Sequence, residues 1–168
     1  MEINATLFQF FHWYYPDDGL LWDRCREQAL HLAWLGVTHV WLPPAYKSAY
    51  GTGEPGYAVY DLFDLGEFDQ KGTVRTKYGT KEQYLQCIHA LHEARMQVIA
   101  DVVLNHRQGA DEEEKVHAKW VNPDDRNDIS DEVVELYVHT KFTFPGRKGQ
   151  YSDYKWNKNS FTGLRVEI

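Results

Sequence analysis

The run Asp101-Val102-Val103-Leu104-Asn105-His106 sets an acid, an amide and an imidazole around a short apolar stretch. The apolar residues from Val98 to Leu104 read as a buried strand. An α/β scaffold collects its site where such strands end. A carboxylate, an amide and an imidazole at that place can bind and orient a hydroxyl-rich ligand. Seven aromatic residues, Trp13, Tyr14, Tyr15, Tyr46, Tyr50, Tyr57 and Tyr60, fall in segments that follow other apolar runs. Sugars lay their apolar faces on such rings while carboxylates and imidazoles bond their hydroxyls. His106 could donate to a sugar oxygen. Taken singly, each ring also fits core or loop packing, and a lone histidine also fits a structural role.

Other chemistries find no support. No Gly-rich phosphate loop follows a strand, and the cysteines lack zinc spacing. There is no His-Glu-x-x-His and no Ser-centred nucleophile elbow. Asp111 to Glu114 and Asp124-Asp125 are adjacent carboxylates, read here as solvated surface turns that could also hold a hard cation. Glycoside hydrolysis needs two carboxyls facing each other across a pocket, one of them protonated. Nothing local designates such a pair.

The elements that must position these residues follow from periodicity. Thr6 to Phe11 is a nearly all-apolar first strand, followed by the Trp13–Gly19 loop. Trp22, Cys25, Ala29, Leu32 and Ala33 form one stripe of a helix from about Leu21 to Leu35, and Gly36 ends it. Val37 to Leu42 is a second buried strand, closed by Pro43-Pro44. The loop Ala45 to Gly79 is too long for a passive connector. Thr80 and Gln83 form a capping box that opens a helix reaching about Arg95, with Tyr84, Cys87, Ile88 and Leu91 inward. Gln97 to Leu104 is the third strand. This order implies parallel βαβ units with both sheet faces covered. After His106 the pattern changes to irregular or antiparallel structure, an insertion rather than another repeat.

The chain has 168 residues, 43% hydrophobic and 15% aromatic, enough for one domain with a core. A net charge of -7 argues against a nucleic-acid partner. No apolar run approaches the ~20 residues of a membrane span. No basic segment precedes an apolar run at the N-terminus, so a cytoplasmic location is expected with Met1 as the start. Cys25 and Cys87 lie on apolar helix faces and read as reduced core thiols.

Several stretches together resemble the α-amylase family of glycoside hydrolases, in its liquefying and intracellular bacterial form. They are Phe8-Gln9-Phe10-Phe11-His12-Trp13-Tyr14, Leu35-Gly36-Val37-Thr38, Val40-Trp41-Leu42-Pro43-Pro44 and Gly56-Tyr57-Ala58-Val59-Tyr60-Asp61-Leu62. Leu65-Gly66-Glu67-Phe68, Lys71 to Thr80 and Asp101 to His106 continue the match. Phe144-Pro145-Gly146-Arg147 and Tyr151 to Trp156 resemble the start of that family's inserted second domain. The resemblance runs from about residue 5 to residue 163.

It implies an α/β fold, an incomplete (β/α)₈ TIM barrel represented by its first three βα units, with a mostly β second domain beginning after the third strand. Residues 1–106 would be the N-terminal part of the barrel and 107–163 part of the insertion. Residues 164–168 would be an end that departs from the pattern. The implied reaction is retaining hydrolysis of internal α-1,4-glucosidic bonds in starch or glycogen. The implied partner is an α-glucan or maltooligosaccharide. Tyr57 resembles the ring that stacks on the sugar at the cleavage subsite, and His106 the imidazole that bonds it. Trp13 joins them as a substrate-binding ring. Asp101 resembles the carboxylate that orders the base of the site, and Asn105 a ligand of a structural calcium ion. That ion needs about six to eight oxygens, most of them from sequence not present here.

In the family the nucleophile, the acid/base and a second aspartate follow the fourth, fifth and seventh strands. These 168 residues end before a fourth repeat is complete, so no catalytic residue is assigned. The expectation is an α-amylase-like fragment, with a non-catalytic α-glucan-binding remnant as the alternative and a packing-only interaction protein behind both. Three units cannot close a barrel, and the open sheet would expose apolar faces and edges. Poor solubility or partial folding of the isolated chain is expected.

Overall fold

A computed structural model describes residues 4–164. Arg165–Ile168, most of the segment expected to depart from the family pattern, lies outside them. Two compact units are formed, one from Met1–Gly109 with Pro145–Ser152, the other from Ala110–Phe144 with Asp153–Ile168.

The first unit runs β1 (Leu7–Gln9), α1 (Leu21–Trp34), β2 (His39–Leu42), β3 (Lys47–Ser48), β4 (Val59–Asp61), α2 (Lys81–Glu93) and β5 (Gln97–Ala100). Strands β1, β2 and β5 pair in parallel in that order, with Leu7 opposite His39 and His39 opposite Gln97. Strands β3 and β4 form a separate antiparallel pair inside the long loop.

Both helices form where the periodicity places them. Trp22, Cys25, Ala29 and Leu32 of α1 meet Tyr84, Cys87 and Leu91 of α2 over Val40 and Leu42 of β2. The Trp22 ring lies 5.4 Å from Tyr78 and 4.8 Å from Tyr84. Thr80 and Gln83 close the expected capping box. Both helices end in the same way. Gly36 N donates to Ala33 O and Val37 N to Leu32 O; Arg95 N donates to His92 O and Met96 N to Leu91 O. Each is a Schellman motif with a left-handed residue after the cap, Gly36 at φ 85° and Arg95 at φ 62°. Cys25 and Cys87 are free and buried. A hydrogen bond with Cys87, then burial, pushes the Cys25 thiol well above its ordinary range.

The sheet departs from the expectation of two covered faces and matches that of apolar faces exposed on an open sheet. Only the central strand is well covered. Val40 and Leu42 are fully buried, whereas Leu7, Phe8 and Ile99 on the flanking strands are exposed. Side chains alternate along a strand, so Leu7 and Ile99, in register with His39 and Trp41, lie on the face opposite Val40 and Leu42, which the helices leave open, while Phe8, in register with Val40, is exposed on the flanking strand. The third strand also stops at Ala100 rather than Leu104. Its last bond of ladder type runs from Asp101 N to Leu42 O. Beyond Leu42, Pro43 and Pro44 carry no N–H, so β2 offers no further donor to the ladder, and Val102 and Leu104 are exposed.

The long loop holds its own polar interior. Lys47, Asp61, Asp64, Gln70 and Arg147 are buried. Lys47 Nζ donates to the carbonyls of Phe68, Thr73 and Val74 at 3.0, 2.6 and 2.6 Å. It also lies 3.5 Å from Asp64. Gln70 Nε2 bridges Asp61 and Asp64 at 3.0 and 2.9 Å.

In the second unit, β6 (Glu112–Val121) and β7 (Ile129–Lys141) form an antiparallel ribbon. Asp111 to Glu114, expected as a solvated acidic turn, leads into and begins β6. The acidic side chains find partners across the ladder: Glu112 pairs with Lys141, and Glu113 lies 3.3 Å from His139. Glu114 accepts from Thr140 Oγ1 at 2.9 Å and Lys158 N at 2.8 Å. Asp111 caps Thr143 and Phe144 through their amides. Phe142, Phe144, Trp156 and Phe161 make this unit's aromatic cluster.

Candidate functional site

Four residues singled out in the sequence meet in the first unit. Asp101 follows β5, Tyr57 lies between β3 and β4, Trp13 follows β1 and His106 lies beyond Asp101. Tyr57 Oη donates to Asp101 Oδ2 at 2.8 Å. The Trp13 and Tyr57 rings stack, with centroids 5.7 Å apart and planes 11° apart. His106 Nε2 lies 2.9 Å from the Tyr57 carbonyl oxygen. A carbonyl only accepts, so Nε2 carries the proton and donates it there. That proton is therefore committed to the backbone, and in this tautomer Nδ1 is an acceptor, with Asn105 Nδ2 3.5 Å away.

Burial, then the bond and charge of Asp101, push the Tyr57 phenol above its ordinary range. It stays protonated near neutrality and remains a donor to Asp101. Trp13 is 60% exposed, while Tyr57 is half-buried. The pair thus offers an anchored ring and an open one.

The other rings divide. Tyr14 and Tyr50 are exposed, and Tyr50 Oη accepts from Gln108 Nε2 at 2.8 Å. Tyr46 and Tyr60 are buried and cannot stack on a ligand. They fall on the inner side of the loop, and Tyr46 Oη instead accepts from Val103 N at 2.9 Å. That bond holds the stretch after Asp101 in the absence of a ladder. Tyr15 takes a bond from Arg24 at 3.0 Å.

Asn105 is exposed, with Nδ2 3.5 Å from His106 Nδ1. Among the described residues no group of three or more His, Cys, Asp or Glu could hold a metal ion. The residues present therefore do not by themselves fit a calcium ion.

Glu54 carries no motif signal, yet it organises the loop. Its Oε2 accepts from Ser48 Oγ at 2.6 Å and Gly56 N at 2.8 Å, and Oε1 accepts from Tyr57 N at 3.0 Å. Gly56 sits at φ 104°, and a Cβ there would lie 2.7 Å from Pro44 Cβ. Only glycine permits that approach. The one available hint was composition, since Glu54-Pro55-Gly56 reads as a turn. No described helix is long and apolar enough to cross a membrane.

Residues 27–160 match the model of the alpha amylase catalytic domain. An alpha-amylase of Geobacillus stearothermophilus is 54% identical over 96% of this chain, and the cytoplasmic alpha-amylase of Escherichia coli 51% over 96%. An alpha-amylase of Bacillus licheniformis is 48% identical over 96%. The chain spans 29%, 32% and 31% of the length of these relatives. A truncated alternansucrase from Leuconostoc mesenteroides superposes with a TM-score of 0.67 at 26% identity, over 83% of this chain and 13% of that one. The parallel sheet with its crossover helices is accordingly part of a barrel, and the chain belongs to the alpha-amylase catalytic domain family.

Proposed function

We propose that these residues form part of an enzyme that hydrolyses internal α-1,4-glucosidic bonds of starch or glycogen with retention. Their share of the work is to bind glucan. The observation that carries this reading is the Trp13–Tyr57 stack, anchored by Tyr57 Oη on Asp101. An open ring beside a fixed ring suits the apolar face of a pyranose, and the exposed His106 beside them can bond its hydroxyls. Relatives bearing the name alpha-amylase support the substrate class.

In this reading β1, β2 and β5 are the strands of the first three βα units of an eightfold barrel. Residues 1–106 belong to that barrel and 107–163 to a partial inserted domain, from which Pro145–Ser152 returns. Asn105 would supply one oxygen of a calcium site, with most of its other ligands drawn from sequence beyond these residues. A cytoplasmic location is supported by the Escherichia coli relative's name. Retaining hydrolysis needs a nucleophile and an acid/base about 5 Å apart, and this reading assigns neither role to a described residue. Asp101 is committed to Tyr57, and both oxygens of Glu54 are committed to the loop.

The test is calorimetric titration of the chain with maltoheptaose, with product analysis alongside. Binding without turnover is expected, weakened at least tenfold by Trp13→Ala. Cleavage of maltoheptaose by the chain alone would refute the division of labour. Absence of binding by a folded sample would refute the glucan site. A non-catalytic glucan-binding remnant would bind in the same way. The intact mass of the native gene product separates the two: a value near 19.7 kDa favours the remnant, and a much larger one favours the enzyme.

A further inference from the structure

We propose that Glu54 is a positioning residue for this surface, holding the Tyr57 ring between Trp13 and Asp101 by clamping the backbone that carries it. The ligand served rests on the glucan-binding reading; the clamp itself does not.

Three donors converge on the Glu54 carboxylate: the Ser48 hydroxyl, the Gly56 amide and the Tyr57 amide. The point of convergence calls for an acceptor only. A carboxylate satisfies this with both oxygens, whereas a carboxamide would turn one NH₂ toward a donor. The three donors span both sides of the loop. Ser48 belongs to β3, while Gly56 and Tyr57 lie three and two residues before β4.

The clamp acts where the backbone has little other support. Tyr57 lies before the first residue of β4, and its carbonyl is engaged by His106. Gly56 holds φ 104° against Pro44, and the Pro55 carbonyl accepts from Tyr78 Oη at 3.0 Å. Glu54 thus ties the amides on one side of the turn, while Tyr78 and His106 tie the carbonyls on the other. With both chain directions fixed, the Tyr57 ring has one place to go, against Trp13 with its hydroxyl on Asp101.

The experiment compares the wild-type chain with Glu54→Gln, and with Glu54→Asp as a milder second variant. Amide hydrogen exchange is read residue by residue, with maltoheptaose affinity measured on the same samples. In Glu54→Gln at least one of the Gly56 and Tyr57 amides, the one that meets the NH₂, should exchange at least about tenfold faster, the loss expected for a charge-assisted bond. Leu91 and Cys87 of α2 should stay unchanged, affinity should fall about tenfold, and Glu54→Asp should lie between. A uniform rise in exchange across α2 would mean general destabilisation and overturn the proposal. So would unchanged exchange at Gly56 and Tyr57, or faster exchange there with unchanged affinity. If the wild-type chain binds no maltoheptaose but the local exchange effect appears, the clamp stands and the glucan reading falls.

Discussion

Replacing Arg147 tests whether the buried polar interior of the long loop is structural. Arg147 is 1% exposed, and its Nε donates to Asp61 Oδ2 at 2.8 Å across 86 positions of sequence. Its Nη1 donates to the carbonyls of Gln150 and Ser152, both at 2.5 Å. Arg147→Ala therefore strips one charged partner from Asp61 and a donor from two carbonyls. Breaking a buried ion pair from one side costs about 3–5 kcal/mol, because the remaining charge stays buried. Asp61 keeps Gln70 Nε2 at 3.0 Å and Phe63 N at 3.1 Å, which argues for the lower half of that range.

The expected loss is about 3–4 kcal/mol, a large part of the ~5–15 kcal/mol that holds a domain together. Neutralising both partners in Asp61→Asn/Arg147→Met should recover part of it, since Asp61 is then no longer a buried charge without Arg147, although Arg107 and Lys47 lose its attraction. Urea unfolding followed by tryptophan fluorescence would measure all three variants and give the coupling. A loss below about 1 kcal/mol in Arg147→Ala would refute the reasoning, and so would a double variant no better than the single.

Three further outcomes are expected. Stability should fall as pH rises above 10, because Tyr46, Tyr57, Tyr78 and Tyr84 all have phenols raised chiefly by burial. The folded state then keeps protons that the unfolded state releases. Lys47, whose ammonium is lowered by burial, acts oppositely just below pH 10.5, and thermal unfolding that stayed flat to pH 11 would contradict the balance. Gly36→Ala should cost about 1 kcal/mol, since its Cβ would meet nothing within 4 Å and only the left-handed backbone at φ 85° is penalised; a cost well above 2 kcal/mol would point to an unseen contact. Cys25 and Cys87 should resist a thiol reagent in the folded chain and react fully in denaturant, because both are completely buried. Fast labelling of the native chain would refute that placement.

Much of the scaffold was legible before any coordinates. The stripe Trp22, Cys25, Ala29 and Leu32, the Thr80–Gln83 box and the Gly36 stop depend on neighbours within a turn or two, which a linear reading contains. The apolar runs at Phe8, Val40 and Val98 and their order imposed parallel pairing, and the Asp101–His106 run with Tyr57 pointed to one end of the sheet. Glu54, Arg147 and Asp61 gave no comparable warning. A carboxylate that clamps amides looks the same in sequence as one in solvent, and Arg147 meets Asp61 only because the chain returns at Pro145–Ser152. The acidic stretch Glu112 to Glu114 reads as a solvated turn until β7 supplies Lys141, His139 and Thr140 opposite it. Likewise the strand after Gln97 is apolar well past Ala100, but a strand lasts only as long as its partner does, and the partner ends at Pro43. The sequence by itself therefore determined what its local periodicity and motifs encode: the helices, the strand order and the family. Tertiary structure alone decided which charges are buried, where the ladder stops and what holds Tyr57 in place, because each of those depends on a group brought from elsewhere in the chain.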